Sequence, residues 1–125
     1  MARPETCKFQ TANVLSTSLA HFFHDIYTSF LAPLLPLLID KLGINLFQAG
    51  TLSVFQRIPT IFNPLIGILA ERVSARYFII LTPAITAIFM SLIGVAPSYT
   101  FLVIIMLVSG LSSAFFHVPG PVMIR

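Results

Sequence analysis

YFIILTPAITAIFMSLIGVA, residues Tyr77 to Ala96, is the stretch on which the fold turns. It carries no charged side chain, and a bilayer core of about 30 Å takes roughly 20 helical residues. Reading outward, three similar stretches accompany it: about Val14 to Ile39, about Leu46 to Ala70, and about Thr100 to residue 123. The linkers between them are Asp40 to Asn45, Glu71 to Arg76 and Pro97-Ser98-Tyr99. Such short linkers make neighbouring helices antiparallel hairpins. The fold class is therefore all-α integral membrane, with four transmembrane helices and a short tail over residues 1–13. No stretch is left over for a soluble domain.

Composition agrees. Of the 125 residues 57% are hydrophobic and 9% charged, and the mean hydropathy is +0.95. A soluble domain carries about a quarter of its residues as charges; here lipid must be the main solvent. The 7 Lys and Arg outnumber the 4 Asp and Glu, but they are scattered singly, with no basic patch interleaved with aromatics. That excludes a nucleic-acid partner. The lone Cys7 excludes an intrachain disulfide and a thiolate metal cluster. The first apolar stretch is too long, and too soon followed by others, for a cleaved signal peptide.

Charge also orients the chain. With the N-terminus in the cytoplasm, Arg3, Lys8, Arg72, Arg76 and Arg125 lie inside, Lys41 alone lies outside, and Arg57 falls within a span. This bias follows the positive-inside rule and predicts a multi-pass protein of the cell (plasma or inner) membrane. The last residue, Arg125, falls where the fourth span regains the cytoplasmic side, an ending that suits a truncated product or an excised portion of something longer.

Polar residues inside the spans mark candidate functional positions. Thr17, Ser18, His21, His24, Asp25 and Thr28 share one side of the first helix at 3.6 residues per turn, while Leu19, Phe23, Ile26 and Phe30 occupy the other. Ser53, Gln56, Arg57, Thr60 and Asn63 repeat the pattern in the second span, and Ser109, Ser112, Ser113 and His117 in the fourth. A polar stripe in a membrane helix must face protein or a water-filled cavity. The third span, with only Thr82, Thr86 and Ser91, reads as peripheral and lipid-facing. Close helix packing is the plainer account of the serines, since small residues let backbones approach. Seven of the 9 prolines (Pro33, Pro36, Pro59, Pro64, Pro83, Pro119 and Pro121) fall within spans, where they bend helices.

Asp25 and Arg57 weigh most, because a charge near the bilayer centre costs at least ~2.5 kcal/mol. Asp25 lies about ten residues from the inner end of its span, or ~15 Å, and Arg57 about thirteen, or ~20 Å. A long Arg side chain can bridge that difference, so the expectation is a coupled Asp25–Arg57 pair. It either fixes helix packing or forms a titratable group beside a movable counter-charge. At 4 Å and an effective dielectric of ~20 the pair is worth about 4 kcal/mol. His21 and His24 share a helix face, but no Glu follows in the zinc-protease spacing, and a third ligand would have to come from His117 on another helix. The expectation is no metal ligand, no cofactor and no enzyme activity.

The second linker resembles a family signature. Gly67-Ile68-Leu69-Ala70-Glu71-Arg72-Val73-Ser74-Ala75-Arg76 is similar to G-x-L-A-D-R-x-G-R-K of the major facilitator superfamily, which lies between the second and third helices on the cytoplasmic side. Gly67, Leu69, Ala70 and Arg72 match, Glu71 replaces Asp, and Arg76 keeps the final basic residue. Ser74 and Ala75 depart from the Gly and Arg. Within that superfamily, His21 to Tyr27, Leu34 to Leu38, Gln48-Ala49-Gly50 and Phe116 to Gly120 resemble the fosmidomycin-resistance exporters.

The resemblance implies the N-terminal part of a major-facilitator-type helical bundle. Such transporters are twelve-helix proteins of two six-helix halves that rock about a midplane site. It further implies proton-coupled efflux of small molecules or drugs, with the lipid bilayer, a small-molecule substrate, protons and the remainder of the transporter as partners. Asp25 would carry the proton, Arg57 would hold it ionised or bind an anionic substrate group, and His21, His24, Thr28, Gln56, Asn63 and His117 would line the path. Three alternatives stay open: a complete four-helix multidrug exporter working as a dimer, an intramembrane His-based metalloenzyme, and a regulatory or assembly subunit without chemistry.

Orientation is directly testable. A cysteine placed at Ser74 in a Cys7→Ser background should resist an impermeant thiol reagent added outside sealed cells and react once they are opened. Labelling from outside would reverse the topology.

Overall fold

The computed structural model describes residues 11–72 and 75–118. Most of the expected tail, Val73 and Ser74 of the signature linker, and Pro119, Gly120 and Pro121 lie outside the described residues; so do the side chains of Glu71 and Arg76. Among the described residues the chain is all-helical: α1 Thr11–Ser29, α2 Leu31–Leu42, α3 Leu46–Arg57, α4 Asn63–Arg72, α5 Ala75–Ser91 and α6 Tyr99–His117, with 3-10 turns at Ile58–Phe62 and Leu92–Val95. These form four helices long and apolar enough to cross a membrane: Val14–Leu42, Leu46–Leu69, Tyr77–Val95 and Tyr99–His117.

Proline explains why four spans come in six helical pieces. Pro33 has no N–H for the Ser29 carbonyl, and α1 gives way to α2 at Phe30. Pro59 likewise leaves the Phe55 carbonyl without its donor, and the second span tightens there into the 3-10 turn. Pro64 removes the next donor, and the Asn63 N–H bonds the Thr60 carbonyl instead. Pro36 and Pro83 sit inside α2 and α5 without ending them.

The first hairpin is specified locally. Gly43 closes α2 at φ 63°, the left-handed conformation that glycine adopts freely, and its N–H bonds the Ile39 carbonyl at 2.9 Å. Two residues on, Asn45 and Gln48 form a reciprocal capping box that starts α3, at 2.8 and 3.0 Å. Ser98 caps α6 by accepting from the Phe101 N–H.

The four spans meet most closely at the end away from the N-terminus. Leu38, Leu52, Met90, Ile93, Leu102 and Met106 form an apolar cluster there, each 2% exposed or less. In lipid such a cluster is held by dispersion and fit, since the tails outside are equally apolar. Thr51 and the Tyr99 hydroxyl (2.6 Å) tie the second span to the fourth at this end, and Lys41 Nζ donates to the Gly94 carbonyl at 2.8 Å.

Toward the N-terminal end the packing becomes polar. Ser112 on α6 accepts from Thr86 Oγ1 and donates to the Thr82 carbonyl on α5, both at 2.9 Å. The third span therefore departs from its expected place. Tyr77, Ile80, Leu81 and Ile88 do form an exposed apolar face, but Thr82 and Thr86 are buried, and α5 packs against both α1 and α6.

The tightest contact lies where α6 crosses the kinked second span. A Cβ on Gly110 would run into the Gln56 carbonyl, 2.8 Å from its carbon and 3.2 Å from Pro59 Cδ. Gly110→Ala should thus lower stability by about 1–3 kcal/mol, the usual cost of overpacking a close contact. A methyl at Gly50 meets nothing within 4 Å, so Gly50→Ala should be neutral or stabilising by up to about 1 kcal/mol. Denaturant titration of the helical signal in detergent checks both.

Candidate functional site

The polar stripe of α1 divides into two lines. Thr17 and His24 turn inward, at 7% and 0% exposure, while Ser18, His21 and Asp25 face outward. His24 stacks on Phe116 of α6 (centroids 4.8 Å apart, planes at 20°), and its Nε2 lies 3.1 Å from Ser113 Oγ. The sequence put His24 among the path residues; the structure buries it against Phe116 and Ser113 of α6, with its Nδ1 unpartnered among the described residues.

The outward line forms the site. His21 Nδ1 lies 2.9 Å from Asp25 Oδ2, one helical turn away, with the two side chains 47% and 54% exposed. His117, at the end of α6, brings its ring edge-on to His21 at 4.9 Å and to His24 at 5.5 Å. Phe116, which the sequence reading did not treat as a site residue, contacts His21 at 5.6 Å and supports the whole cluster. Its adjacency to His117 was the available signal, but an aromatic residue on an apolar helix reads as core. One ligand atom each from His21, Asp25 and His117 falls within a sphere of mutual distances under 4.8 Å. These three can hold a proton, an anionic or hydrogen-bonding substrate group, or a cation.

The expected Asp25–Arg57 pair is not formed: Asp25 is bonded to His21. The reason lies in the packing. The first and second spans touch through α2 and α3, whereas α1 packs on α5, and α3 and the 3-10 turn pack on α6. Arg57 is exposed. It stands in the last turn of α3, where the chain tightens directly into the 3-10 turn.

The remaining expected path residues scatter. The Thr28 hydroxyl donates to the Asp25 carbonyl at 3.1 Å and is occupied within its own helix. Gln56 is half-buried beside Gly110. Asn63 is half-buried at the start of α4, with its Oδ1 buried and unpartnered among the described residues; Ser109 Oγ on α6 is in the same condition. In the signature segment Gly67 lies close to the end of α6, with room for a Cβ 3.7 Å from Val118. Arg72 is exposed in the last turn of α4.

Comparison with known proteins bears on this arrangement. No curated protein and no solved structure matches the chain. The family model of the Major Facilitator Superfamily matches residues 17–125, from the start of the polar stripe on α1 through the end of the chain. Four apolar membrane-crossing helices, a polar face built across the first and fourth, and this match together show that the chain is a multi-pass membrane protein of secondary-transporter type, and that it belongs to the Major Facilitator Superfamily.

Proposed function

We propose that this chain belongs to a proton-coupled exporter of small molecules or drugs, and that Asp25 and His21 together carry the coupling proton. The observation behind it is the 2.9 Å contact between His21 Nδ1 and Asp25 Oδ2 on an exposed face of a membrane helix. Asp25 is the acidic residue farthest from the ends of the spans; Glu5, Asp40 and Glu71 lie in the tail or at span termini. An ionised group so placed is too costly to face lipid. The face therefore opens on water or on further protein of the same transporter, as the resemblance to fosmidomycin-resistance exporters implies. The charge bias supports a cytoplasmic N-terminus and a cell-membrane location.

In this reading the imidazole and the carboxylate share one proton. Substrate or a change of access separates them, and the proton leaves to whichever side the cavity then faces. Alternating access about a midplane site makes that release directional. His117 borders the pair, and Arg57, exposed and with no carboxylate partner among the described residues, can meet an anionic substrate group. Export as opposed to import rests on the resemblance alone.

The test uses proteoliposomes with an imposed pH gradient, a chelator in all buffers, and a panel of small amphipathic drugs. A pH-sensitive dye reports drug-induced collapse of the gradient. Asp25→Asn, which keeps size and most hydrogen bonding, should abolish the response while drug binding to the purified protein persists. Asp25→Glu should retain part of it. A wild-type response from the Asn variant removes the proton-carrying role.

A further inference from the structure

The cluster on the open face of α1 and α6 has a chemical character that proton coupling alone does not use. Two imidazoles and one carboxylate, from two different helices, converge on a common point. Imidazole nitrogen suits zinc, copper, iron and nickel, whereas magnesium and calcium prefer all-oxygen sites. His₂-carboxylate is moreover the ligand set of open zinc sites that keep positions for exchangeable groups.

We propose that His21, Asp25 and His117 form a binding site for a divalent first-row transition-metal ion, of which Zn²⁺ is the representative. Ligands about 2.1 Å from a tetrahedral ion sit about 3.4 Å from one another. The His21–Asp25 separation of 2.9 Å must open by about 0.5 Å to that spacing, and distances of up to 4.8 Å within the trio must close by about 1.4 Å. Both adjustments are within the reach of side-chain rotation, with no movement of the helices. His21 and Asp25 stand one turn apart on one helix face, a spacing at which side chains meet. His117 is braced on its inner side by His24 at 5.5 Å and Phe116 at 5.6 Å, so its ring is already held beside the pair. Three protein ligands leave at least one coordination position open. The site is thus suited to an ion that arrives and leaves, and not to a structural ion sealed in the fold.

This site coincides with the proton-carrying residues but stands without that role, because metal binding is measured with no gradient present. The chain is purified in nanodiscs without a polyhistidine tag, in a Cys7→Ser background that removes the one thiol. Zn²⁺ is titrated by calorimetry, and Co²⁺ by its visible ligand-field absorption, which reports coordination geometry and nitrogen ligation. One ion per chain is expected, with a Co²⁺ spectrum of four- or five-coordinate form. His117→Ala, His21→Ala and Asp25→Asn should each weaken Zn²⁺ binding by about 100-fold, at or beyond the loss caused by removing a supporting hydrogen bond. Ser91→Ala, near the end of α5 and outside the cluster, should leave it unchanged. Helical content of every variant is read alongside, and a variant that loses its helical signal is replaced by the Gln substitution at the same position. An octahedral, all-oxygen Co²⁺ spectrum, or unchanged Zn²⁺ affinity in the His21 and His117 variants, would overturn the site. Neither result touches the proton assay, which runs in chelator.

Discussion

Lipid offers no hydrogen bonds, and the rest of this structure follows from how each polar group inside the four spans copes with that. Several hydroxyls are silenced at home: Ser16, Thr28, Ser29, Thr60, Thr82 and Ser91 all donate to carbonyls three or four residues back in their own helices. A second set is used between helices, where Thr86 and Ser112 zip α5 to α6 and His24 meets Ser113. Such interhelical bonds average about 0.6 kcal/mol in a membrane. They choose neighbours and register more than they supply stability. Neither solution absorbs the ionisable trio on the outer face, nor Asn63 Oδ1, Ser109 Oγ and His24 Nδ1, which are buried without a partner among the described residues.

The prolines act through the same constraint. Each removes a donor, and where the break falls decides what the side chains around it can reach. The break after Arg57 turns a mid-span arginine into the last-turn residue of a short helix. The same kink pushes the Gln56 carbonyl and the Pro59 ring against α6, where only a residue without a side chain fits. Pro59 with Gly110 therefore sets how closely the second span approaches the fourth.

The apolar cluster at one end and the polar layers at the other divide the bundle along its length. At the end remote from the N-terminus all four spans contribute to the core. Near Asp25 the first and second spans separate, and α1 relies on α5 and on side-chain contacts to α6. That asymmetry leaves His21, Asp25 and His117 uncovered while the residues just beside them, His24 and Phe116, are fully enclosed.

Much of this was legible in the sequence. Four apolar runs of spanning length, Gly43 and Asn45 at the first hairpin, and the signature from Gly67 to Arg76 are local features, and local physics is enough to read them. Asp25, His21 and His117 also stand out in the sequence, because an ionisable group in an apolar run is conspicuous by cost alone, and the structure brings the three together. The partners were not legible. Helical periodicity tells which residues share a side of one helix, and by that measure His24 and His21 were equivalent. Which sides of two helices meet depends on kinks and crossing geometry set by contacts distant in sequence, such as Gly110 against Gln56. Only the tertiary structure could decide that His24 is packed away, that Asp25 pairs with His21 while Arg57 ends a helix, and that His117 comes from nearly a hundred residues along the chain to complete the cluster on α1.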